Sequence, residues 1–105
     1  NLFEVDHVEV VDGDHETWIG DARITVPEGV ESGDLLGVRP EGMHLGADDN
    51  TLEGVVERTE FLGDAYMVHC RVSGREVVLK SASKPPTDSV TIGFPKHAIS
   101  VIEDR

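Results

Sequence analysis

Five histidines and a surplus of carboxylates are the residues of this chain that could do chemistry. His7 and His15 flank Asp12 and Asp14, a grouping that could hold a metal ion. No His-x-His or His-Glu-x-x-His spacing accompanies it, and Asp12-Gly13-Asp14 reads more simply as a turn. His44 near Asp48 and Asp49 has the same reading, so no metal is expected. Cys70 is the single cysteine. It has no partner for an internal disulfide and none of the paired spacings of a zinc site. Its neighbour His69 alternates to the opposite face of any strand, which argues against a Cys-His nucleophile pair. Glu57 with Glu60, and Glu28 with Glu31, are the nearest approach to paired catalytic acids, but nothing in the sequence raises either pKa or builds a pocket. No GxxxxGK[ST] or GxSxG pattern is present. Catalysis by this chain is not expected.

The most distinctive step is Arg39-Pro40-Glu41, set between Gly37 and Gly42 in LGVRPEGMHL. Proline fixes its own φ and holds the preceding residue extended. An extended backbone would send Arg39 and Glu41 the same way. The pair reads either as an ion pair pinning a loop to the body of the protein, which is the favoured expectation, or as a grip on a partner domain or anion. A bulge or positive φ at Gly37 would make that glycine hard to replace.

Composition narrows the class of function. The 105 residues suit one domain, and 21 Asp plus Glu against 9 Lys plus Arg give a net charge of -12. Such a surface repels a phosphate backbone and anionic lipid, so no nucleic-acid partner is expected. The acid is spread along the chain, so disorder is a poor account of it. It reads either as the surface of an ordinary acidic domain or, more sharply, as adaptation to high salt, because salt screens like-charge repulsion. No apolar run approaches the ~18 residues of a membrane helix. The first residue is Asn1, not Met, which predicts a processed or excised segment.

The elements that must position these residues are short strands. Residues 2 to 11 alternate as one strand with an irregularity near His7, and Asp12-Gly13-Asp14 turns the chain. Residues 16 to 26 return, with Trp18, Ala22, Ile24 and Val26 on one parity and Gly20 as a bulge or hairpin bend. A short strand over 34 to 39 ends at Pro40, and 42 to 50 is a loop. Further strands fall within 52 to 63, before a break at Gly63-Asp64, and near 65 to 72, 76 to 80, 90 to 94 and 99 to 104. Ser73-Gly74-Arg75 is a hairpin turn, 81 to 89 a loop, and 95 to 98 a turn or single helical turn. No segment keeps apolar residues at helical spacing for three turns. The fold class is all-β, a curled barrel of short antiparallel strands, which the early hairpin completes by pairing across the chain.

Three stretches carry a family resemblance: residues 36 to 45, then LEGVVERTEFLGDAYMVHCRVSGREVVLKS, then DSVTIGFPKHAISVIED. Together they resemble the C-terminal accessory domain (the TOBE, OB-like regulatory domain) of ABC importer ATPases. The maltose, glycerol-phosphate, polyamine and ferric-iron uptake types are the most similar. The family's Gly-x-Arg-Pro-Glu-His step is matched by Gly37, Arg39, Pro40 and Glu41, with Gly42 where histidine is common. Glu60, Leu62 and Gly63 match a Glu-x-Leu-Gly step. Val90, Ile92, Gly93 and Phe94 resemble the late strand, and the opening Asn-Leu-Phe resembles the start of the accessory domain. Thr87-Asp88 and Ser100 depart from the usual pattern.

The resemblance implies that residues 1 to 105 form a single accessory domain, the excised C-terminal part of a longer ATPase subunit. It implies an OB-like β-barrel with extra strands, no catalytic residues, and no cofactor or metal in this domain. Gly37, Arg39, Pro40, Glu41, Glu60 and Gly63 become the interface candidates. The implied partners are the nucleotide-binding domain of the same subunit, a second copy of the subunit, the membrane subunits indirectly, and a regulatory protein or small effector. The implied location is cytoplasmic, peripheral to the plasma membrane through the importer. Two alternatives stand beside it. An oxyanion-binding module would use Ser81, Ser83 and Lys84, and an OB-like nucleic-acid binder would need a basic groove with exposed aromatics.

Overall fold

The computed structural model describes residues 1–103; Asp104, the end of the predicted last strand, lies outside them. The described chain is all-β. Its strands are β1 (Leu2–Glu4), β2 (Glu9–Val11), β3 (Asp14–Ile19), β4 (Ala22–Val26), β5 (Leu35–Val38), β6 (His44–Leu45), β7 (Asn50–Phe61), β8 (Tyr66–Val72), β9 (Arg75–Ser81), β10 (Ser89–Phe94) and β11 (Ile99–Ile102). Single 3-10 turns occupy Pro40–Gly42 and Lys96–Ala98. No helix among the described residues is long and apolar enough to cross a membrane.

The turns follow from their residues. Asp12 and Gly13 take φ of 52° and 87°, and Ser73 and Gly74 take 47° and 81°. Two successive positive φ values match the right-handed twist of a tight hairpin, and both pairs sit in two-residue turns. Gly20 reverses the chain between β3 and β4 at φ 60°.

Three sheets result. The largest curls as an OB-like half-barrel in the order β6-β10-β7-β8-β9. A second runs β1-β5-β11 and a third β2-β3-β4. Along β7 and β8 the register slips between Val56 and Arg58, so Glu57 is a bulged residue. All three sheets bury one face in a common core. Phe3 and Leu36 come from the second sheet, Ile24 and Val26 from the third, and Leu52, Val68, Leu79, Ile92 and Phe94 from the half-barrel. Each of these aliphatic and aromatic side chains contributes roughly 1.5–3 kcal/mol on burial.

Two asparagines bind the sheets where backbone ladders do not. At the half-barrel's edge strand β9, the Asn1 side-chain amide donates to Val78 O (2.8 Å) and accepts from Val78 N–H (2.7 Å), as a neighbouring strand would. The same amide donates to Val38 O on β5 at 2.9 Å. At the other seam, Asn50 on β7 is 1% exposed. Its Oδ1 accepts from Thr25 N–H (2.7 Å) and its Nδ2 donates to Thr25 O (2.9 Å), joining β4 to β7.

Four expectations are corrected. Residues 2 to 11 are not one strand. The chain leaves the second sheet at Val5, whose backbone exchanges hydrogen bonds with Asp34 and Gly33 (2.9 Å each), and re-forms in the third. Trp18 does not share a face with Ile24. The reversal at Gly20 resets the parity, so Thr17 and Ile19 point inward and Trp18 pairs outward with Arg23. The early hairpin pairs across the chain only through its first residues, β1, which joins β5; β2, β3 and β4 make a sheet of their own. Within the predicted loop of 42 to 50, His44–Leu45 adds a two-residue strand to β10.

Candidate functional site

The sheet β1-β5-β11 places Gly37 at its centre, opposite Leu2 on one side and Ser100 on the other. Gly37 is therefore neither a bulge nor a positive-φ position, so the condition that would have made it hard to replace is not met. A Cβ there would meet its nearest atoms, Leu2 Cδ2 and Ser100 O, at 3.6 and 3.7 Å, an ordinary contact. What the glycine does is leave the outer face of the sheet low. Asn1, Leu2, Gly37, Val38, Arg39, Pro40 and Ser100 line an open groove of about 310 Å3 across it. Leu2 is 63% exposed beside this groove, and Ile102 approaches it from β11.

Pro40 then starts a 3-10 turn. Arg39 before it stays extended at φ -68°, ψ 151°, while Glu41 is carried into the turn. The two side chains do not lie together on one extended strand, and the expected ion pair is not formed. Among the described residues neither has an ion pair or side-chain hydrogen bond, and both are exposed. Gly37, Arg39 and Pro40 are thus brought together in the groove wall. Glu60 and Gly63 lie apart from it on the β7–β8 hairpin. Glu60 accepts from His69 Nε2 at 2.7 Å with Arg58 3.7 Å away, and Gly63 forms the turn with φ 97°.

The other chemical candidates are accounted for by local contacts. His7 stacks on Trp18 with ring centroids 5.0 Å apart and lies 3.6 Å from Glu9. His44 Nε2 is 2.7 Å from Asp48 Oδ2, and its Nδ1 is 3.1 Å from Leu45 O. The Asp48 hydrogen bond, helped by the Leu45 carbonyl, raises the His44 pKa; the same bond lowers that of Asp48. Glu57 accepts from Arg71 Nε at 3.1 Å, which raises the arginine's pKa further. Burial, with a smaller contribution from the Glu57 charge, pushes the Cys70 thiol up to about 11, leaving it a core side chain. Ser81 Oγ donates to Ser83 O (2.7 Å) and accepts from Ser83 N–H (3.1 Å), so these groups satisfy each other. No group of three metal-ligating side chains occurs among the described residues. A larger cleft of about 380 Å3 lies between the Gly20 and Ser73 turns, with Asp21 and Glu53 on its walls. No histidine lines it to activate the Ser73 hydroxyl.

Sequence reasoning missed Asn1, Leu2 and Ser100 as groove residues. The signal was available in part: a polar residue opening an alternating apolar run invites the question of what its amide holds.

A family model for the TOBE domain matches residues 36–102, the stretch from β5 to β11. The chain belongs to the TOBE domain family. No curated protein matches it. The TOBE match takes in Gly37, Arg39, Pro40, Glu41, Glu60 and Gly63. TOBE domains serve as accessory or regulatory domains of ABC transporter ATPases, or occur in molybdate-binding proteins.

Proposed function

We propose that the chain is the accessory domain of the ATP-binding subunit of an ABC solute importer, of the maltose, glycerol-phosphate, polyamine or ferric-iron uptake type. The groove on the second sheet is its docking face. The observation that carries this reading is the convergence of Gly37, Arg39 and Pro40 on one open surface with exposed Leu2 and a guanidinium that has no ion pair among the described residues. An open apolar face rimmed by charge suits another protein surface rather than an enclosed small ligand. The nucleotide-binding domain of the same subunit and a second copy of the subunit are its partners. Through the assembled importer it meets the membrane subunits at the cytoplasmic side of the plasma membrane, where a regulatory protein or small effector is a further partner. The domain itself is non-catalytic and carries no cofactor. Ser81 and Ser83, bonded to each other, favour this setting over oxyanion capture, as does the charge of -12.

The coding segment upstream of Asn1 is expected to encode a P-loop ATPase ending in a Pro-x-x-Asn step. In calorimetric titration the 105-residue chain is expected to show no heat of binding with MgATP. A different upstream domain, or saturable one-to-one MgATP binding, overturns the reading.

A further inference from the structure

The cleft between the Gly20 and Ser73 turns sets carboxylates beside an apolar floor. Ile19 and Val72, each 2% exposed, make the floor with half-buried Ala22. The two turns meet where the Ser73 hydroxyl occupies the place that a Gly20 Cβ would take. The polar groups of the cleft differ in how far they are engaged. Thr51 Oγ1 is taken up by Asp48, accepting from its N–H at 3.4 Å and donating to its carbonyl at 3.3 Å. Glu53 is steadied by the Thr91 hydroxyl, which lies 3.2 and 3.1 Å from its two carboxylate oxygens. Asp21 and the Ser73 side chain have no ion pair or hydrogen bond among the described residues. No Lys, Arg or His stands among the residues that line the cleft. Two carboxylates that share a site without a cation disfavour each other's charge, and a bound cation relieves both.

We propose that this cleft binds the ammonium group of a primary alkylamine. The Asp21 and Glu53 carboxylates accept its N–H donors, the Ser73 hydroxyl accepts a third, and the floor receives the alkyl body. Charge-assisted hydrogen bonds of this kind are stronger than neutral ones. The lining also selects among cations. A bare metal ion would leave the floor unused and wants more oxygen ligands, and no group of three metal-ligating side chains occurs among the described residues. A quaternary ammonium calls for aromatic faces, and no aromatic residue lines the cleft. At a net charge of -12 the whole molecule draws cations to its surface, and the cleft adds acceptors in fixed places. The inference goes beyond the importer reading and does not rest on it. None of the cleft's residues lines the groove on the second sheet, and Ile19, Asp21 and Ala22 precede the residues of the TOBE match.

Amide NMR spectra of the 105-residue chain titrated with n-butylammonium chloride test this, at neutral pH and with ionic strength held constant by KCl. Saturable shifts are expected at the two turns and along Thr51–Glu53. Asp21→Asn and Glu53→Gln should each weaken binding on the order of tenfold. Amide spectra unchanged away from the cleft show that these two exposed substitutions leave the fold intact. Butanol has the body without the charge, and tetramethylammonium the charge without the donors; each should bind at least about tenfold more weakly than the amine. Nα-acetyl-lysine methylamide separates two sources of the group. Tighter binding than butylammonium identifies a lysine side chain presented by a polypeptide, weaker binding a free amine, and either result upholds the site. An absence of shifts, or shifts that never saturate and spread over the acidic surface, overturns the inference. So do single variants that bind as well as the parent, butanol or tetramethylammonium binding as tightly as the amine, or magnesium chloride displacing the amine at equal concentration.

Discussion

Gly20 and Gly37 are both glycines of the β-framework, yet they tolerate change very differently. Gly20 holds φ at 60°, and a Cβ there would fall on the Ser73 side chain of the neighbouring hairpin turn. Gly20→Ala therefore combines a left-handed backbone with a clash, and should cost about 1–3 kcal/mol in urea unfolding. Gly37 has neither burden, and Gly37→Ala is expected to leave the midpoint within about 0.5 kcal/mol. His44 makes the residue-scale prediction for pH. Its raised pKa means that the native state holds its proton more tightly than the unfolded chain. The stability it contributes is complete below about pH 6.5 and is lost as pH rises through the raised value. Asp48, lowered in turn, contributes above the ordinary carboxylate range and loses that contribution as pH falls. The pair acts between those limits, and modestly, because both side chains are largely solvated. Titrating the His44 ring by NMR should give a pKa above 6.5 that drops in Asp48→Asn; an unchanged titration would refute the pairing.

At the scale of elements, what the sequence disclosed depended on how local the cause was. The turns at Asp12-Gly13 and Ser73-Gly74 were legible because a hairpin turn with two positive φ values selects such residues within a few positions. The buried face of β8 was legible because Val68, Cys70 and Val72 keep strict alternation. Trp18 was misplaced because parity counted through Gly20 ignores the reversal there, and two residues of turn do not preserve a face. The break inside residues 2 to 11 was hidden because its cause is distant: Val5 gives its backbone to Gly33 and Asp34. The groove was half legible. Gly37, Arg39 and Pro40 announced themselves by type, whereas Leu2 and Ser100 joined them through strand pairing across the length of the chain. Asn50 was the polar residue with the largest hidden role. Asn50→Ala should leave Thr25 N–H and O without their partners and cost about 2 kcal/mol or more, measured by thermal or urea unfolding. A loss below about 0.5 kcal/mol would show that the seam is held by apolar contact alone.

The whole molecule is elongated, 39 × 22 × 22 Å, with a radius of gyration of 13.8 Å, and it carries its -12 charge over that small surface. Crowded carboxylates oppose compaction, and mobile ions relieve them. The unfolding midpoint should therefore climb steeply between low salt and molar KCl, read by thermal melts across the series. A flat response would mean that local ion pairs such as Glu57–Arg71 and Glu60–Arg58 already balance the surface. The asparagine seams have a consequence for motion. Among the described residues, every ladder bond of β2, β3 and β4 stays within their own sheet. That sheet can swing away from the half-barrel without breaking a single ladder bond, provided that Asn50 releases Thr25 and that Ile19, Ile24 and Val26 leave the core. Amide protons of β3 and β4 would then become accessible through a partial opening, ahead of those in β7, β8 and β9, whose exposure requires the half-barrel itself to come apart. A chain of 105 residues with one shared core would thus exchange its protons in two steps, with one side-chain amide as the latch between them.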